Sequence, residues 1–172
     1  MLLLTGWGQA LFIVLVAGWF LVGWFRTGRI DRTGAAAALA AALLALLVNQ
    51  VLGHVWDRPR PFVAEAGVIH QLVTHARDSS FPSDHAAAAF AIASVFLALR
   101  RRLGLVILAL ALLVSAARLY AGLHYPSDVA AGALVGIGSG LLWVWILSLQ
   151  RDRLDRVLVL PSALLPARLR PL

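Results

Sequence analysis

Long apolar runs broken by groups of arginine constrain this chain more than any other feature. A helix needs about 20 mostly apolar residues to cross a bilayer. Residues 2–25 meet that length, and so do 35–55, with Asn49, Gln50 and His54 near the end of the run. Residues 86–99 and 103–117 are shorter and need their flanks, whereas 129–149 form a full span. The pattern predicts an all-α, polytopic membrane helix bundle with about five transmembrane helices. The first run has no basic residue before it and is too long for a signal-peptide core, so it reads as a retained span.

Composition agrees. The chain has 172 residues, of which 61% are hydrophobic and only 13% charged; soluble domains carry about a quarter charged residues. That length predicts one membrane-embedded domain over residues 1–150 and a cytoplasmic tail over 151–172. The absence of cysteine excludes disulfides and thiolate metal sites. All 15 basic residues are arginine. They lie between apolar runs rather than on a solvated basic face, which argues against nucleic acid as a partner. Under the positive-inside rule, Arg26, Arg29 and Arg32, then Arg100 to Arg102, then Arg151, Arg153 and Arg156 lie in the cytoplasm. The loops at 56–84 and 118–128 then face outward. In the last span Gly132, Gly136 and Gly140 form a small-residue stripe, for which packing inside the bundle is favoured over a dimer interface.

Three polar clusters fall on those two outward loops. The first is Arg58-Pro59-Arg60-Pro61, and the second is Pro82-Ser83-Asp84-His85 at the start of an alanine-rich run. The third combines Arg118, His124 and Asp128. Guanidinium groups match phosphate oxygens, and a helix start offers free N–H groups to an anion. A histidine can protonate a leaving oxygen. A carboxylate four residues from a histidine can fix its tautomer and leave the other nitrogen as a nucleophile. Each cluster alone also has a plain reading: lipid head-group anchoring for the arginines, helix capping for Ser83, Asp84 or Asp128. The loop residues Glu65, His70, His75, Arg77 and Asp78 could contact a head group or gate entry, and a merely solvated loop is an equal alternative.

Taken together, the clusters resemble the motifs of the type 2 phosphatidic acid phosphatase superfamily: K-x6-R-P, P-S-G-H and S-R-x5-H-x3-D. The resemblance covers roughly residues 50–130. It implies that His124 is a nucleophile that becomes phosphohistidine, that Asp128 orients it and that His85 protonates the leaving group. It also implies that Arg60, Ser83 and Arg118 hold phosphoryl oxygens, with Arg58 and Asp84 as further phosphate-site residues, and that neither metal nor cofactor is needed. Three positions depart from the pattern: the lysine is absent, the motif glycine is Asp84, and Ala117 replaces the serine before Arg118.

The P-S-D-H form looks like bacterial undecaprenyl-diphosphatases linked to bacitracin resistance. That points to a polyprenyl diphosphate among membrane lipids as substrate, and to a multi-pass protein of the cell (inner) membrane with an external or periplasmic site. Two alternatives stand beside it: a phosphatase of phosphatidic acid, phosphatidylglycerophosphate or another lipid phosphate, and a catalytically silent lipid-phosphate binder or transporter.

Overall fold

The computed structural model describes residues 29–159, apart from 70, 71 and 74. The expected span at 2–25 and the tail beyond 159 lie outside the described residues, as does His70. Among the described residues five helices follow one another: α1 (Arg29–Val55), a single turn α2 (Pro61–Ala64), α3 (Asp84–Leu99), α4 (Arg101–Tyr120) and α5 (Pro126–Val159). Among the described residues there is no strand, and α1, α4 and α5 each contain a stretch long and apolar enough to cross a membrane.

The shorter α3 is the hub. It packs against α1, α4 and α5, and α1 also touches α5. With 16 residues it extends only about 24 Å, less than a bilayer-spanning helix. Its neighbours bury it on nearly every side from Ala86 to Phe96. On α1 the buried positions Ala35, Ala38, Ala42, Ala45 and Asn49 follow a 3–4 spacing that makes one inward stripe. Leu39, Leu43, Leu47 and Val51 form the exposed, lipid-facing stripe.

Small residues set how closely α5 lies on α3. A Cβ at Gly132 would come within 2.4 Å of the Ser83 carbonyl oxygen, and one at Gly136 within 2.2 Å of the Ala87 oxygen. A Cβ at Gly140 would lie 2.7 Å from the Ser94 Cβ. The glycine stripe is therefore a contact inside the bundle. Gly136→Val should lower the melting temperature in detergent, at a cost of about 1–3 kcal/mol from overpacking. Gly138→Ala, where an added Cβ meets nothing within 4 Å, should melt close to wild type. Equal melting of the two variants would contradict this packing.

Alternating helix directions bring the end of α1, the start of α3, the end of α4 and the start of α5 to one pole of the bundle. Arg29 and Arg100 to Arg102 mark the opposite pole. The backbone of α5 continues through Arg151, Arg153 and Arg156 to Val159.

Candidate active site

The polar pole holds a cleft of about 530 Å³. Arg60, His85, Arg118 and His124 line it, together with Asn49, His75, Asp78 and Asp84. The three sequence clusters thus converge, and each arrives for a local reason.

His124 is delivered by the way α4 ends. Gly122 takes a left-handed φ of 69°, which glycine adopts without steric cost. Its N–H donates to the Leu119 carbonyl at 3.0 Å, and the Leu123 N–H donates to the Arg118 carbonyl at 3.2 Å. These two bonds make a Schellman motif. It stops the helix two residues beyond Arg118 and turns Leu123 and His124 back into the protein, where both are buried. Pro126 then opens α5, as proline suits the first helical turn.

The His124 imidazole is held by backbone. Its Nδ1 lies 2.8 Å from the Ser80 carbonyl oxygen. A carbonyl only accepts, so Nδ1 carries the proton and Nε2 keeps its lone pair. Nε2 faces Arg60 Nη1 at 3.3 Å. Burial, followed by the positive charges of Arg60 and Arg118, lowers the His124 pKa to about 3. The ring is therefore neutral in the free protein at physiological pH.

Asp128 does not accept directly from His124, because its Oδ2 is 3.9 Å from Nδ1. The carboxylate is fully buried and gathers other donors. Ser80 Oγ donates to Oδ2 in a short hydrogen bond, and the Tyr125 N–H donates to the same oxygen at 2.8 Å. Arg58 Nη1 donates to Oδ1 at 3.0 Å. Asp128 thus holds Ser80, and the Ser80 carbonyl holds the nucleophile candidate.

Two expected phosphate ligands stand elsewhere. Arg58 turns to Asp128 and to Ser127 Oγ, at 2.7 Å, and its guanidinium carbon lies 3.9 Å above the centre of the Tyr125 ring. It is a clamp on the start of α5 rather than a cleft residue. Ser83 is fully buried as the N-cap of α3, its hydroxyl accepting from the Ala86 N–H. It does not line the cleft.

Arg60 and Arg118 are the arginines that do. Both are buried, at 5% and 2% exposure, despite the cost of desolvating a guanidinium. Arg60 Nη1 donates to the Leu123 carbonyl at 3.0 Å and its Nε to Asp78 Oδ1 at 2.9 Å. Arg118 Nη2 lies 3.0 Å from His75 Nε2. At the other wall, Asn49 Nδ2 donates to Asp84 Oδ1 at 2.9 Å. Ser80 and Asn49 carry no site role in the sequence reading, whereas His75 and Asp78 are among the loop residues it offers as head-group contacts. Asn49 had a visible signal, a polar side chain late in an apolar run; Ser80 had none, because a loop serine does not reveal which partners its carbonyl and hydroxyl reach. Among the described residues no group of three or more His, Cys, Asp or Glu side chains is placed to hold a metal ion.

Comparison with known proteins matches this arrangement to a family. The chain is 37% identical over 120 residues to undecaprenyl-diphosphatase BcrC of Bacillus subtilis, covering 70% of this chain and 61% of the relative. It is 34% identical over 125 residues to the bacitracin transport permease protein BcrC of Bacillus licheniformis, covering 73% of this chain and again 61% of the relative. It thus spans about three-fifths of the length of these curated relatives. The crystal structure of Aquifex aeolicus LpxE superposes with a TM-score of 0.61 at 28% identity, over 77% of this chain and 76% of that one. With the polar pole assembled as above and residues 34–152 matching the PAP2 superfamily, this multi-pass membrane protein belongs to that superfamily.

Proposed function

We propose that this chain is a metal-independent membrane lipid phosphatase that converts undecaprenyl diphosphate to undecaprenyl phosphate through a phosphohistidine on His124. The observation that carries this reading is the neutral His124, tied at Nδ1 and presenting Nε2 to a cleft that also holds Arg60, Arg118 and His85. The name of the Bacillus subtilis relative supports the substrate.

In the first step Nε2 attacks the terminal phosphorus. The bond from phosphorus to the bridging oxygen breaks, and His85 relays to that oxygen a proton carried in by the diphosphate as lipid monophosphate leaves; the ring itself is neutral in the free protein, because burial and the Arg118 charge lower its pKa. Arg60 and Arg118 balance the negative charge on the transferring phosphoryl oxygens. An arriving phosphate also accepts the Arg60 Nη1–H that faces Nε2, with the guanidinium staying in place, and frees the lone pair. In the second step His85 takes a proton from water, the oxygen attacks phosphorus, the P–N bond breaks and phosphate departs. The arginine groups at the pole opposite the cleft support an outward-facing site and a cytoplasmic tail.

The test is phosphate release in detergent from undecaprenyl diphosphate, phosphatidic acid and phosphatidylglycerophosphate, each with and without EDTA. EDTA-resistant release that favours the diphosphate is expected. Preference for a monophosphate lipid would move the substrate to that class. Binding of all three without release would support the silent binder or transporter, in keeping with the name of the Bacillus licheniformis relative.

A further inference from the structure

The two arginines of the cleft come from different elements, Arg60 from the segment before α2 and Arg118 from the last turn of α4. Each also meets a side chain of the outer loop. Arg60 Nε donates to Asp78 Oδ1 at 2.9 Å, and Arg118 Nη2 lies 3.0 Å from His75 Nε2. The two loop residues in turn face each other, with His75 Nδ1 3.7 Å from Asp78 Oδ1. A guanidinium, a carboxylate, an imidazole and a second guanidinium thus form one chain of contacts across the mouth of the cleft.

We propose that His75 and Asp78 are positioning residues that fix the spacing and tilt of the Arg60 and Arg118 guanidinium groups around the transferring phosphoryl group. This rests on the phosphatase reading above.

Which edge Asp78 occupies separates positioning from simple blockage. It takes Nε of Arg60, whereas Nη1 is the nitrogen that faces His124. The carboxylate therefore braces the side of the guanidinium away from the nucleophile. An arginine has several rotatable bonds, and a guanidinium held at only one edge can swing. With Nε on Asp78 and Nη1 on the Leu123 carbonyl, the plane of Arg60 is fixed. His75 supplies one such brace to Arg118, at Nη2, as a neutral acceptor. Burial and the charges of Arg60 and Arg118 lower its pKa, against the raising effect of Asp78 and of its hydrogen bond with the Ala76 carbonyl. A neutral Nε2 accepts from the guanidinium where an imidazolium would repel it. Asp78 stays a carboxylate: its slight burial raises its pKa, but the hydrogen bond and charge of Arg60 outweigh this and lower it.

A solvated loop predicts something different. Asp78 is 60% exposed, so its removal should leave the fold intact. If it only decorates the surface, removal should leave catalysis intact as well. Small misplacements of a positioning group cost about 10²-fold in rate, and lost transition-state contacts lower kcat more than they raise KM.

The experiment uses the full chain in detergent and compares wild type with Asp78→Ala, Asp78→Glu, His75→Ala and His75→Gln. It reads melting temperature, kcat and KM on undecaprenyl diphosphate, and the affinity for orthovanadate, a phosphoryl mimic. Asp78→Ala and His75→Ala should melt like wild type, lose roughly 10–100-fold in kcat with KM changed by less than about threefold, and bind vanadate correspondingly more weakly. Asp78→Glu and His75→Gln keep an acceptor and should recover part of both losses. Unchanged kcat and vanadate affinity in the two alanine variants, with an active wild type, would overturn the proposal and leave the phosphatase reading standing. A wild type that binds vanadate but releases no phosphate, with binding weakened in the same variants, would overturn the phosphatase reading and leave the positioning role intact.

Discussion

Replacing His124 with alanine should remove phosphate release, by a factor on the order of 10⁴ or more, as loss of a covalent nucleophile does in other hydrolases. His124 combines the needed properties. Its Nδ1–H is committed to the Ser80 carbonyl at 2.8 Å, so the nitrogen on the cleft is the unprotonated one. Burial and two nearby guanidinium groups disfavour the charged ring and hold its pKa at about 3. The sign is decisive: the ring stays neutral at every pH above roughly that value, so no deprotonation precedes attack in the free protein. Nitrogen-15 spectra of labelled histidine should show a neutral Nδ1–H imidazole at pH 5 that disappears in His124→Ala. Rapid quenching with labelled diphosphate should trap an acid-labile, base-stable phosphoprotein in wild type and none in the variant. An imidazolium at pH 5, or turnover that survives in His124→Ala, would remove His124 from the role of nucleophile.

Much of this was legible in the sequence, and the parts that were not share a physical cause. Apolar run length marked α1, α4 and α5, because lipid demands a continuous helix of that size. The third motif named Arg118 and His124, which do line the cleft. The four-residue spacing of His124 and Asp128 does not act through a shared helix face, however. It places two side chains on one face only when both belong to one helix, and α5 begins at Pro126. His124 therefore sits on a turn, and the imidazole finds a backbone carbonyl. Arg58 and Arg60 are identical residues in one proline-bracketed segment. What separates them is tertiary: one reaches the buried Asp128 and the other the cleft. Ser83 looked equally fit to cap a helix or hold phosphate, and the start of α3 claims its hydroxyl.

The indirect position of Asp128 leads to the second large effect. Asp128→Ala should reduce phosphate release by roughly 10²–10³-fold, even though the carboxylate does not touch the imidazole, because misplacing a reacting group by about 1 Å costs about 10²-fold. The variant should also be destabilised, by about 2–4 kcal/mol. That figure counts charge-assisted hydrogen bonds lost at a buried carboxylate, discounted because Arg58, at 38% side-chain exposure, regains water. If Asp128 acts through Ser80, removing the Ser80 hydroxyl must matter too. Ser80→Ala keeps the carbonyl that binds His124 and loses only the bond to Asp128, so about a tenfold loss in kcat is expected. In the double variant the two losses should not multiply, since both break one chain of contacts. A carboxylate that oriented the imidazole by itself would make Ser80→Ala silent and the two effects independent. Measuring kcat for the two single variants and the double variant therefore decides between direct and relayed orientation, and the 3.9 Å gap favours the relay.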